Sequence, residues 1–353
     1  MTNRTRYFMA SSGAVVVAGL ITGLVAYRGG GVQPLFASTL RAELAFVPSD
    51  AAVVAYADVR AIMDSELRQR LKLAIPVPSE GQAEFQTQTG IDIEHDIDYV
   101  VAAMVPGLTG TIGDKSGLVV ARGRFDMIKL EGLALEHGGT VEEYGGKHLV
   151  SVTHNAELPA PDGTQTLKPI HPSMTIAFLE RAVPGGASAT LIAFGESATV
   201  KHAIDAQSQA QSLNSNDEIT ELVNDIERSN NAWAVGRLDV LTSHAQLPAQ
   251  VASQLGSVKW FAAAAHVDGG VSGTIRAEAR DDQSAENLRD VVRGVLALGR
   301  LQAQNDPRLA AAAQSLELTG TGKTVSLSFV VPAELIDMAV SHAQTAAPKV
   351  MYH

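Results

Sequence analysis

Short apolar runs rich in β-branched residues recur along the chain, and each such stretch predicts a strand. Residues 51–59 (AAVVAYADV), 98–105 (DYVVAAMV) and 117–125 (GLVVARGRF) read this way in the first half. Residues 232–240 (AWAVGRLDV), 258–267 (VKWFAAAAHV) and 270–282 (GVSGTIRAEARDD) do so in the second. Between them the apolar spacing is that of a helix. Ile62, Leu67 and Leu71 are helically spaced within residues 60–72. Residues 126–139 predict a helix with Asp126 as N-cap and Gly138 at its C-terminal end. Residues 284–304 give the strongest helical pattern: Leu288, Val291, Val292, Val295, Leu298 and Leu301 share a face, with Ser284 as the cap. A last helix is expected from Pro332 to about Ala343.

Glycine pairs predict two hairpins, one on Gly145-Gly146 within residues 140–152 and one on Gly320 and Gly322 within residues 316–331. The second contains the letters Gly-Thr-Gly-Lys-Thr. A phosphate-binding loop of that type needs a glycine where Glu317 stands, and a helix directly after the lysine. Here Val325, Leu327 and Phe329 alternate with serines, so a strand follows instead. A hairpin turn is the expectation.

Taken in order, each half reads strand–helix–strand–strand–helix–strand. That order predicts an α+β protein of two tandem ferredoxin-like (βαββαβ) units with antiparallel sheets, at residues 43–205 and 219–343. The Gln/Ser/Asn-rich stretch 206–218 is the expected linker and residues 344–353 a tail.

The N-terminus changes the picture. Residues 8–27 (FMASSGAVVVAGLITGLVAY) carry no charge, follow Arg4 and Arg6, and end at Arg28. About 20 apolar residues suffice to span a bilayer, and no convincing small-x-small cleavage site follows. Residues 1–28 are therefore expected to be a retained transmembrane signal anchor, with residues 29–42 as a tether. The leading arginines favour a cytoplasmic N-terminus. The body would then be held on the periplasmic side of a bacterial inner membrane. Gly19 and Gly23 form a GxxxG pair that could pack one anchor helix against another.

Charge and cysteine content narrow the function. Three of the 27 basic residues lie in the anchor, leaving 24 against 38 acidic ones, a balance of −14 over the rest of the chain. Such a body is repelled by polyanions, so nucleic acid is not an expected partner. There are no cysteines, which excludes disulfides, thiolate-held zinc and iron–sulfur clusters.

Three stretches invite chemical readings. Residues 191–204 run from a strand through Gly195-Glu-Ser197 into a helix-like segment, and His137-Gly138-Gly139 lies upstream. These residues resemble the nucleophile elbow and oxyanion-hole motif of α/β-hydrolase esterases and lipases, which would imply a serine hydrolase centred on Ser197. The elbow departs from the pattern at Thr199, where close helix–strand contact calls for glycine, and the body lacks the β/α alternation of a parallel sheet. The plainer expectation is a strand end followed by a helix capped at Ser197. Second, Asp92, Glu94, Asp96 and Asp98 alternate along residues 91–98, and in a strand would share a face able to hold a hard cation such as Ca²⁺. No glycine supplies a calcium loop's turn, so an acidic strand end is the default. Third, the long loop 157–172, including His171, is the first place to look for a partner contact. Trp233 and Trp260 head strands and read as core. The expectation is a membrane-anchored envelope protein with a non-catalytic interaction or accessory role and no cofactor, partnered by another protein or by itself. A periplasmic esterase or a ligand- or metal-binding sensor are the alternatives.

Overall fold

The computed structural model of the protein describes residues 42–74, 86–87, 89–105, 117–152, 155–159, 165–169, 174–180, 190–227, 230–237, 257–303 and 307–337. Residues 8–27, with Gly19 and Gly23, lie outside this set, as does His171. Among the described residues no helix is long and apolar enough to cross a membrane.

The chain forms two compact units. The first takes the described residues up to Arg60 and again from Glu80 to Asn224; the second takes Ala61–Ser79 and the described residues from Asp225 onward. In the first unit β1 (Val53–Asp58), β2 (Ile97–Met104) and β3 (Gly117–Gly123) make an antiparallel meander. β3 pairs with β9 (Thr190–Glu196), β9 with β8 (Met174–Glu180), β8 with β5 (Lys147–Val152), and β5 with the edge strand β4 (Thr140–Tyr144). β6 (Asn155–Pro159) and β7 (Gln165–Pro169) pair separately, so the 157–172 stretch is partly a two-stranded ribbon. In the second unit β10 (Ala232–Arg237), β11 (Val258–Val267) and β12 (Gly270–Ala279) make a further meander. β14 (Thr324–Pro332) then pairs with β12 and carries the short edge strand β13 (Glu317–Thr319).

This arrangement overturns the tandem ferredoxin-like expectation. A βαββαβ unit has four strands, and each of its helices crosses between two strands that are not neighbours in the sheet. Here seven strands in the first unit and five in the second are joined instead, and β1, β2 and β3, like β10, β11 and β12, pair with their neighbours in chain order as antiparallel meanders. The helix expected after β1 also fails to cover the first unit. It breaks at Ser65 into Val59–Asp64 and Glu66–Ala74, where the Ser65 hydroxyl accepts the Arg68 N–H at 3.2 Å and donates to the Ile62 carbonyl at 2.6 Å. Leu67, on the second piece, is buried with Val271, Phe329, Ala333 and Ile336 in the second unit's core. Element order alone does not reveal which unit a helix joins.

Local signals fare better. Asp126 caps the helix Met127–Glu136 by accepting the Lys129 N–H at 3.1 Å, and Gly138 ends it at φ +75°. Gly145 and Gly146 take φ +56° and +72° in the β4–β5 turn, as a two-residue hairpin of this type requires. The Gly-Thr-Gly-Lys-Thr stretch is a turn between β13 and β14, and a strand follows it. Pro332 ends β14 opposite Gly270, and residues 333–337 directly after it are helical; the rest of the expected last helix, to Ala343, lies outside the described residues. Trp233 and Trp260 are both buried.

The first unit's core is lined by the fully buried run Val53–Ala57, by Val100–Ala103, and by Leu191–Ala193. The helix Ser197–Ser208 lies over β3, β8 and β9 and buries Val200, Ala203, Ile204 and Ala206. In the second unit the 22-residue helix Asp282–Ala303 lies over β12, β13 and β14, and the helix Pro307–Ser315 packs beside it.

Candidate functional site

Ser197 is the first residue of its helix. The cap position is Glu196, with φ −65° and ψ 145°, and makes no side-chain capping bond, so capping by Ser197 is not what starts this helix. Gly195 does not turn the chain either. It sits inside β9 between Leu118 and Thr175, where an added Cβ would come within 2.7 Å of the Gly117 carbonyl oxygen. β9 thus has antiparallel neighbours on both sides, unlike the parallel sheet that presents an esterase nucleophile. His137 closes the helix Met127–Glu136, and its Nδ1 lies 2.8 Å from the Leu133 carbonyl oxygen.

The acidic stretch adopts a different form from the strand that would align its carboxylates. Ile93–Asp96 is a helical turn, and β2 begins only at Ile97. Asp92 caps the turn, accepting the Glu94 N–H at 3.0 Å and lying 2.9 Å from His95 Nδ1. Burial pushes the Asp92 carboxyl up, but the hydrogen bonds from His95 and the Glu94 backbone outweigh it, and the net shift is downward. Asp96 accepts the Asp92 N–H at 2.8 Å and Arg124 at 3.2 Å, while Asp98 accepts Arg60 Nε at 2.9 Å. The carboxylates of Asp92, Asp96 and Asp98 are thus engaged by backbone, histidine and arginine groups. Among the described residues no three His, Asp or Glu side chains converge as a metal centre requires.

The most unusual surface lies on the helix Asp282–Ala303. Asp281 caps it, accepting the Ser284 N–H at 2.7 Å, a role the sequence pattern assigned to Ser284. That backbone bond from Ser284 holds the Asp281 carboxyl below the usual carboxylate range. The buried face carries Ala285, Arg289, Leu296 and Ala303, with Ala285 packed against Ala279 and Val325 and flanked by Leu288 and Leu318. Arg289 is nearly enclosed. It donates to the Gly322 carbonyl, to the Thr324 carbonyl at 3.0 Å and to Glu286 at 2.8 Å, and so ties the helix to the β13–β14 turn. Arg300 donates to the Ala313 carbonyl at 3.2 Å and the Leu316 carbonyl at 2.9 Å, satisfying the end of the neighbouring helix.

With those two arginines fixed, the rotation of the helix is set, and four of the six residues that share the expected apolar face point outward. Val291 is 44% exposed, Val295 64%, Leu298 61% and Leu301 61%. Gly294 lies between them with open space where a side chain would be. Counting 100° per residue, these positions centre on the side of the helix nearly opposite Ala285, Arg289 and Leu296. The charged edge beside them is internally paired: Arg293 bridges Glu286 at 3.0 Å and Asp290 at 2.7 Å. The Arg293 and Arg289 hydrogen bonds draw the Glu286 carboxyl downward, and those to Glu286 and Asp290 raise Arg293. An aliphatic strip with no orphan charge has no means of acid–base or nucleophilic chemistry; it can exclude water against another apolar surface. The sequence held the signal, since both faces of this helix are apolar, but not which face would be spare.

No protein-family model matches the chain. No curated protein matches it either. It is similar to a solved structure described as crystal form I of TP0453, at 10% identity and a TM-score of 0.40, over 85% of this chain and 96% of that one.

Proposed function

We propose that this chain is a membrane-anchored protein whose body lies outside the cytoplasm, in the periplasm of a double-membraned bacterium, and serves there as a non-catalytic interaction or accessory component of the cell envelope. The observation that carries the reading is the outward face of Val291, Val295, Leu298 and Leu301, a contiguous aliphatic strip on a helix already anchored by its opposite side. The uncharged segment 8–27 supports the anchor, and the −14 balance of the remaining chain supports a body that is not held to the membrane by charge.

The test is complementation of a deletion strain with the full chain. A Val295→Asp, Leu298→Asp double variant should accumulate to the wild-type level, stay in the carbonate-washed membrane fraction and fail to restore the envelope phenotype. Ser197→Ala should restore it. The reverse pattern would replace this reading with catalysis at Ser197, and a body exposed to cytosolic protease would remove the envelope assignment.

A further inference from the structure

We propose that the occupant of the outward helix face is lipid: the bilayer that holds the chain's own anchor, with Val291, Val295, Leu298 and Leu301 entering the boundary between headgroups and acyl chains. This rests on the anchor reading above and adds a second, peripheral attachment through the body.

Reach comes first. The anchor segment ends at Tyr27 and the described body begins at residue 42, leaving residues 28–41 between. Fourteen residues reach at most about 50 Å, whatever their conformation. The body of a tethered chain therefore stays within about its own diameter of the bilayer. A surface too weak to hold a partner from solution is adequate for one kept at this effective concentration.

Size points the same way. The strip from Val291 to Leu301 is one helix wide and about 15 Å long at 1.5 Å per residue. Covering four part-exposed aliphatic side chains removes on the order of 300 Å² of apolar surface from water. A specific protein interface buries about 800 Å² on each partner and is anchored by Trp, Tyr or Arg. This strip has Val, Leu and Gly294. A lipid boundary demands no shape complementarity, only an apolar face a few ångströms proud with polar groups flanking it, as on interfacial helices.

Charge decides the kind of attachment. Residues 291–303 contain Arg293 and Arg300 and no acid, but Arg293 is paired with Glu286 and Asp290 and Arg300 is bound to backbone carbonyls. The body as a whole is acidic. Docking is therefore apolar: it needs no anionic lipid and survives salt.

Because the chain has no cysteine, single labels can be placed cleanly. The full chain carrying an environment-sensitive fluorophore on Leu298→Cys, or on the exposed control Gln207→Cys, is reconstituted into phosphatidylcholine vesicles, with and without bromine on the acyl chains. The expected result is a blue shift and loss of most emission in brominated vesicles for the label at 298, and neither for the label at 207. Adding Val295→Asp should abolish the quenching at 298 while leaving the chain in the vesicles. A solvent-like label at 298 on a retained chain overturns the docking and leaves the anchor intact. Energy transfer between labelled copies without bromine quenching overturns it in favour of a second copy of this chain. Dependence on anionic lipid and loss in high salt overturns the apolar mode. A chain that washes out of the vesicles in carbonate overturns the anchor itself, and with it the tether on which the docking depends.

Discussion

The helices Ser197–Ser208 and Asp282–Ala303 pose the same problem to the chain and are solved differently. Each lies over antiparallel strands of its own unit, and each alternates apolar and polar residues with helical period. The first has one modest apolar set, Val200, Ala203, Ile204 and Ala206, all of it buried. Its polar side is tied down as well: Tyr144 donates to Asp205 at 2.8 Å, and Lys201 pairs with Glu142 at 2.8 Å. The second has apolar residues on two faces. Arg289 and Arg300 select the face that turns inward, and the other remains in solvent. A helix with one apolar face has its orientation written in its spacing; a helix with two leaves it to whatever contacts lie around it.

The comparison breaks most visibly under charge substitution. Ile204 is 2% exposed, so Ile204→Asp buries a carboxylate without a partner and should cost at least about 3 kcal/mol. Leu298→Asp, on an exposed position, should stay within about 0.5 kcal/mol. Urea midpoints of the two variants measure the difference, and equal losses would mean that the Leu298 face is covered by the protein itself. A smaller effect is expected where the second helix is held. Arg289→Ala removes the bonds to the Gly322 and Thr324 carbonyls and to Glu286, a loss of roughly 1–3 kcal/mol by the same measurement. If instead the helix re-seats on its other face, fluorescence of a label on Leu298→Cys will shift in the Arg289→Ala background without any lipid present.

The smallest effect is a dependence on pH. Glu286 has its folded-state carboxyl drawn below the unfolded value by Arg293 and Arg289. A lowered carboxylate stabilises the fold above its unfolded pKa, near 4.3, and that contribution disappears as pH falls through the folded value. The wild type should therefore be more stable than Glu286→Gln at neutral pH, with the gap closing in acid. Thermal midpoints across pH 3 to 7, roughly the range spanning carboxylate titration, follow it. A gap that persists at the acid end would mean that the Glu286 contacts do not depend on its charge.

Much of the local structure was legible beforehand. Asp126 and Gly138 delimit their helix, and Gly145-Gly146 turn their hairpin. Gly320 and Gly322 take positive φ in a turn that is not a phosphate loop. Each of these depends on residues within about four positions of one another, so the sequence displays the whole interaction. The acidic stretch shows where even local reading slips. Its period-two carboxylates imply a strand, but Asp92 offers its side chain to the Glu94 N–H, and that competing cap bond nucleates a helical turn at Ile93–Asp96.

What the sequence determined by itself was the inventory: apolar runs that must become strands or helices, glycines that must turn, an uncharged segment long enough for a bilayer, and an acidic body without thiols. Only the tertiary structure decided who neighbours whom. That β3 pairs with β9, that Leu67 is buried in the second unit, and that Val295 faces water all depend on contacts between residues far apart in the chain. The physical reason is that hydrophobic burial has no direction or address. It demands that apolar surface be covered, and the partners available in three dimensions settle which surface is covered and which is left over.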